Sequence, residues 1–283
     1  MLLGMILGTE HMIAFEDPTY KQAYRVIHTL GYETVPVAMD RHGMKIQDLE
    51  STGADIAYVT PSHQYPTGIV MPIGRRMELL KWAYEKDGRY IIEDDYDSEL
   101  RLSGQPIPTL QGMDVSDNII YMNTFTKTLC STVRISYMIL PEKLVPRFYR
   151  QLSFYSCTVS NFEQYTLSRF IEEGKFETHV NRLRNHYRKK RDLLLEALKR
   201  SRLKDRVTVS GEEAGLHFLM HIRTEVPEEQ VIEKARKRGI RLVPLSSYYY
   251  GNAKEQNVYV MNYSSIDIDR ADEIMERICV SCE

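Results

Sequence analysis

Strand-like and helix-like segments alternate along the first half of this chain, and that alternation constrains the fold more than any single motif. Met12 to Glu16 reads as a strand, Tyr20 to Leu30 as a helix, and Glu33 to Val37 and Asp55 to Thr60 as strands. Pro72 to Lys86 reads as a helix with Pro near its start, packing apolar positions such as Met77, Leu80 and Trp82. Tyr90 to Glu93, Asn118 to Met122 and Arg134 to Leu140 complete the strand series. Such alternation predicts an α/β fold: a mostly parallel central sheet with helices on both faces. From about Phe154 the character changes. Helices are expected over Phe162 to Glu173, Phe176 to Arg202, Glu228 to Arg238 and Asp267 to Ile278. Strands are expected near Val207 to Val209, Leu216 to His221, Ile240 to Val243 and Val258 to Tyr263. This predicts a large domain over 1–155 and a smaller α+β domain over 156–283.

Ligands of parallel sheets sit beyond the carboxyl ends of the strands, so the residues there carry the chemistry. One such stretch is Tyr121-Met-Asn-Thr-Phe-Thr-Lys127, followed by Arg134 at the start of the next apolar strand. A lysine bracketed by Thr124, Thr126 and Thr128, with an arginine behind it, is an amine set beside a phosphate anchor. A pyridoxal 5'-phosphate (PLP) site needs that pairing, together with an acid at the pyridine nitrogen, a donor at the phenolic oxygen and an aromatic against the ring. The acid candidate lies in Ile92-Glu-Asp94-Asp-Tyr96-Asp-Ser-Glu99, directly after a buried strand, with a phenol two residues beyond Asp94. An acidic turn taken alone reads more readily as a solvated loop, because such turns are common.

These stretches, in this order, resemble fold-type I PLP aminotransferases. They are most similar to the aminotransferase-like domain of MocR/GabR-type transcriptional regulators of the GntR family. The likeness rests on Glu16-Asp-Pro-Thr-Tyr20, Thr60-Pro-Ser-His-Gln-Tyr-Pro-Thr-Gly68, Glu93-Asp-Asp-Tyr-Asp, Thr124-Phe-Thr-Lys127, Arg134-Ile-Ser-Tyr137, the segment from His179 to Asp192, and Ala214-Gly-Leu-His-Phe218. By position, the resemblance implies that Lys127 forms the imine with PLP, Asp94 meets the pyridine nitrogen, Tyr96 bonds the phenolic oxygen and Tyr20 stacks on the ring. It assigns the phosphate to Thr124, Thr126 and Arg134. It also implies an amino acid or related amine as substrate, and a homodimer. Two activities follow: transamination, or effector sensing on behalf of a DNA-binding domain.

Three departures sharpen these expectations. Many relatives have Asn where this chain has Tyr65 in Tyr-Pro-Thr-Gly, so either His63 or Gln64 is a candidate to replace that support of the cofactor, while His63 reads equally as a structural residue of the turn. The substrate-carboxylate arginine of the family's penultimate strand falls on Val260, with Arg241 on another segment, which predicts altered substrate binding. Met1 to Gly8 resembles the tail of the helix whose N-terminus carries the phosphate turn in the family. The expectation is therefore an N-terminally truncated domain without its winged helix, with weaker PLP affinity.

Composition narrows the rest. A net charge of -2 gives no support to nucleic-acid binding by this chain. The basic run Arg182, Arg184, Arg188, Lys189, Lys190, Arg191 reads as a solvated helix face. No apolar run reaches the roughly 18 residues of a membrane span. Cys279-x-x-Cys282 has no second pair, and four cysteines in 283 residues are no disulfide framework, so the expected compartment is the cytoplasm with no metal bound.

Overall fold

The computed structural model describes residues 2–104, 107–251, 253 and 255–283; Met1, at the head of the expected helix tail, lies outside them. Contacts divide the chain into two compact units. The first comprises Met1–Tyr65, Ile69–Glu99 and Gln105–Val180; the second comprises Pro66–Gly68, Leu100–Gly104 and Asn181–Glu283.

The first unit is built on seven strands: β1 (Met12–Asp17), β2 (Glu33–Asp40), β3 (Gly43–Met44), β4 (Ile56–Val59), β5 (Tyr90–Asp95), β6 (Ile119–Thr124) and β7 (Ser136–Ile139), in the order β3-β2-β1-β4-β5-β6-β7. The five inner strands are parallel, and the edge strands β3 and β7 run antiparallel to their neighbours. Burial explains the sequence pattern. All four residues of β4 are buried, so it reads as a continuous apolar run rather than an alternation. One face packs Ala14, Ala57, Val59, Ile91 and Ile119 against Leu79, Leu80 and Trp82 of the Ile73–Tyr84 helix. The other packs Ile13, Phe15, Ile56, Tyr58, Ile92 and Ile120 with Ile6, Leu7 and Leu152. Each large side chain so buried contributes roughly 1.5–3 kcal/mol. Helices on both faces of a mostly parallel sheet are the α/β arrangement that the alternation requires.

Met77 departs from its expected packing. It is 55% exposed, because the inward stripe of its helix runs through Arg76, Leu79, Leu80 and Ala83 at helical spacing. The chain steps from β1 outward to β2, then returns to β4 on the opposite side of β1. The carboxyl edge between β1 and β4 is therefore the topological switch point of the sheet.

The second unit holds an antiparallel sheet, β8 (Val207–Ser210), β9 (His217–Ile222) and β10 (Val258–Asn262), in the order β10-β9-β8. Leu194, Phe218, Met220, Val231, Tyr259, Ile278 and the free thiols Cys279 and Cys282 share its core. The strand expected over Ile240 to Val243 does not form. Val243 accepts one bond from the Val260 N–H (2.9 Å) and Pro244 makes a single bridge to Tyr259; proline brings no N–H with which to extend a ladder. In the basic run, Arg188 donates to the Leu102 carbonyl, Lys190 to Ser264 and Arg191 to Glu212, so half of that face anchors backbone rather than meeting only solvent. Among the described residues no helix is long and apolar enough to cross a membrane.

Candidate active site

Four neighbouring parallel strands end at the same edge of the first unit. β1 leads into Pro18, Thr19 and Tyr20; β4 into Thr60 to Tyr65; β5 into Tyr96 and Asp97; and β6 into Phe125 to Lys127. Every site residue expected from the sequence lies at one of these ends, apart from Arg134, which lies just ahead of β7.

The acids of β5 divide by face. Glu93 is fully buried and accepts the N–H groups of Leu110 and Gln111 (2.9 Å each), with the Arg76 guanidinium 3.6 Å away. Arg76 in turn donates to the carbonyls of Met71, Pro61 and Pro108. Burial pushes the Glu93 carboxyl up to about 7. Asp95 accepts from Ser98 (2.7 Å) and from the Tyr121 phenol (2.8 Å). Asp94 points to the opposite face. It is half-buried, and one of its oxygens, Oδ2, accepts the Tyr58 hydroxyl. Burial pushes the Asp94 carboxyl up to about 6, against the pull of the Tyr58 hydrogen bond.

Tyr96 donates its hydroxyl to the His63 carbonyl (2.8 Å) and lies 3.1 Å from His63 Nδ1, while that same nitrogen is 3.0 Å from Asp97 Oδ2. His63 and Asp97 are both buried. Gln64 is buried too, and its amide donates to the Pro18 (2.9 Å) and Tyr65 (3.0 Å) carbonyls. His63 and Gln64 thus tie the turn after β4 to its neighbours. Glu16, at the end of β1, accepts from the backbone N–H (3.1 Å) and hydroxyl (3.0 Å) of Thr60. Tyr20 is 43% exposed and meets Tyr65 edge-on at 5.7 Å, and Tyr65 meets Tyr96 edge-on at 6.2 Å. Tyr20, Tyr65, Tyr96 and His63 therefore form one aromatic row along the strand ends. Beside it a cavity of about 350 Å³ is lined by Tyr20, Tyr58, Ile92, Met122 and the Ala23–Ile27 side of the next helix.

Thr124 and Thr126 share a hydroxyl–hydroxyl bond (2.9 Å), and the Thr124 hydroxyl also reaches the Ile135 carbonyl (3.2 Å), closing the loop between β6 and β7. Lys127 and Arg134 sit exposed in that loop. Among the described residues neither cation makes a hydrogen bond or ion pair. The structure thus brings Tyr20, His63, Gln64 and Tyr96 into one connected group, holds Asp94 through Tyr58, which lines the same cavity as Tyr20, and joins Thr124 to Thr126. It leaves the two cations uncommitted on the adjoining loop.

The model of the aminotransferase class I and II family matches residues 2–278. The chain belongs to the aminotransferase class I and II family. Its relatives include the uncharacterized HTH-type transcriptional regulator YdeL of Bacillus subtilis, 44% identical over 248 residues that cover 88% of this chain and 53% of that protein. The probable rhizopine catabolism regulatory protein MocR of Rhizobium meliloti is 32% identical over 267 residues, covering 94% of this chain and 54% of the relative. This family member thus spans about half the length of both regulators. The kynurenine aminotransferase of Pyrococcus horikoshii, solved in complex with PMP, superposes with a TM-score of 0.85 at 27% identity, covering 99% of this chain and 72% of that one.

Sequence reasoning missed Tyr58, Arg76 and Asp97. Tyr58 sits in a fully buried strand and reads as core. Arg76 is a charged residue on the apolar stripe of its helix, and nothing in the sequence marks the carbonyls and the carboxylate that it meets there. Asp97 stood in plain view among the acids, with nothing to separate it from a surface turn.

Proposed function

We propose that this chain binds PLP at the carboxyl edge of its parallel sheet and performs transamination-type chemistry on an amino acid or related amine. The observation that carries this reading is Asp94. It lies at the end of a central parallel strand, one oxygen held by Tyr58, between the strand that leads to Tyr20 and the strand that leads to Lys127. The donor set fits the cofactor: an acid for the pyridine nitrogen, Tyr96 for the phenolic oxygen, Tyr20 for the ring, and Thr124, Thr126 and Arg134 for the phosphate. Bound PLP supplies an aldehyde that captures a substrate amine and a ring that takes up the electron pair released at the substrate carbon. Lys127 would hold the cofactor and then move the proton at that carbon; among the described residues its amine has no partner, which leaves it free for both tasks. His63 and Gln64 support the cofactor indirectly, by fixing Tyr96 and the turn after β4. The test is spectroscopic. The wild type should develop the visible band of lysine-bound PLP, and Lys127→Ala should not; identical spectra would overturn the assignment.

A second reading has its own support. Relatives at 44% and 40% identity are HTH-type transcriptional regulators of which this chain covers about half. On this reading the same pocket senses an amino compound for an attached DNA-binding domain, and ligand binding shifts a conformational equilibrium. Conversion of bound PLP to pyridoxamine phosphate by an amino acid separates the two: the enzyme converts it, the sensor only binds. Membership of the family supports a homodimer in the cytoplasm. Phe162 (80% exposed), Tyr165 (76%) and Phe154 (74%) of the first unit offer the apolar surface that a second copy would cover.

A further inference from the structure

Asp94 is aimed by a residue outside the set above. We propose that Tyr58 is a positioning residue for Asp94: its phenol fixes one carboxylate oxygen and turns the other toward the ring nitrogen of the bound cofactor. This rests on the proposed assignment of Asp94 to that nitrogen.

Register sets the contact. Tyr58 lies opposite Ile92 across β4 and β5, and Asp94 is two residues past Ile92 on the same face of the pleat. The Tyr58 ring is 4% exposed and packs on Phe15 with centroids 5.0 Å apart. Its hydroxyl therefore projects from a fixed ring to Asp94 Oδ2. Burial and the adjacent Asp94 charge push the phenol well above its ordinary value, so it stays protonated and donates. Burial pushes Asp94 up, Tyr58 pulls it down, and the charges of Asp95 and Asp97 raise it again. The other titratable groups facing the pair are Tyr96 beyond β5, Glu16 on β1 and Tyr20 just after it. On β6, Met122 pairs with Asp94 and carries no charge. Tyr58 is thus the hydrogen-bond donor opposing burial at Asp94.

An ionised Asp94 is the form that favours a protonated pyridine nitrogen, so cofactor binding should strengthen as pH rises through the Asp94 titration. Removing the donor moves that titration upward. The experiment measures PLP affinity of the full chain between about pH 5 and 8 for wild type, Tyr58→Phe and Asp94→Asn, with ring-nitrogen protonation read from the NMR shift of ¹⁵N-labelled PLP. Tyr58→Phe should move the acid limb of binding upward by about one pH unit, the size of one hydrogen bond to a charged group. Asp94→Asn should abolish the limb and the ring-nitrogen signature. Should Tyr58→Phe not fold, 3-fluorotyrosine at position 58, a more acidic phenol and a stronger donor, should move the limb downward. A wild type that binds PLP beside a Tyr58→Phe chain with the same profile and ring-nitrogen shift overturns the role of Tyr58 alone. A wild type that fails to bind PLP overturns the reading of the site, and this role with it.

Discussion

At the scale of single residues, the first unit buries carboxylates whose charge it tolerates poorly, and this has a measurable consequence at Glu16. Burial pushes its carboxyl from 4.5 up to about 7, opposed by the two bonds from Thr60. A carboxyl raised on folding stabilises the folded state below its unfolded value and loses that contribution as pH rises through the folded one. Between pH 5 and pH 8 the wild type should therefore lose on the order of 3 kcal/mol at this residue. Glu93, raised to about 7, and Asp94, raised to about 6, add slopes of the same sign. Glu16→Gln keeps the shape and an acceptor for Thr60. Urea unfolding at the two pH values should show the pH-dependent loss reduced by the Glu16 share, and an unchanged loss would show that Glu16 does not titrate in this range. The same residues show how far the site was legible. Lys127, Asp94, Tyr96 and Tyr20 stand out because each follows a strand end in a fixed order. Tyr58 and Glu16 did not, because a tyrosine inside an apolar strand and an acid ahead of a turn have ordinary structural readings until register reveals what they touch.

At the scale of elements, long periodic segments were readable and short ones were not. The helix ending at Thr29 and the strands at Met12, Ile56 and Tyr90 formed where their patterns place them. The helices Ile46–Ser51, Leu110–Met113 and Val145–Leu152 were missed, as was two-residue β3: a few residues carry too little periodicity to read. The Asn161–Glu172 helix was legible and is also vulnerable, since none of its described residues is buried. Its start depends on a capping box in which Ser160 Oγ accepts the Glu163 N–H (3.2 Å) and Glu163 accepts the Ser160 N–H (3.3 Å). Ser160→Ala should cost about 1 kcal/mol, and amide exchange in the first turns of that helix should quicken about fivefold. Unchanged protection there would mean that packing rather than capping holds the helix.

At the scale of the whole molecule, the two compact units have separate cores: one around Leu79, Trp82 and Ile91, with Phe15 and Ile92 on the opposite sheet face, the other around Phe218, Tyr259 and Ile278. Every residue assigned to the cofactor lies in the first. A ligand that binds only the folded form stabilises the unit that holds it by about 2.7 kcal/mol at a hundred times its dissociation constant. The chain reports on this conveniently, because Trp82 is its one tryptophan and is buried in the first unit. In urea, tryptophan fluorescence should follow the first unit alone, and helical circular dichroism should follow both. Saturating PLP should move the fluorescence midpoint upward and leave a second component of the circular dichroism where it was. In Lys127→Ala the fluorescence midpoint should move far less, because the covalent attachment is lost. If both signals move together, the units unfold as one cooperative body; if neither moves while the spectrum shows PLP attached, the cofactor is held outside the folded strand ends.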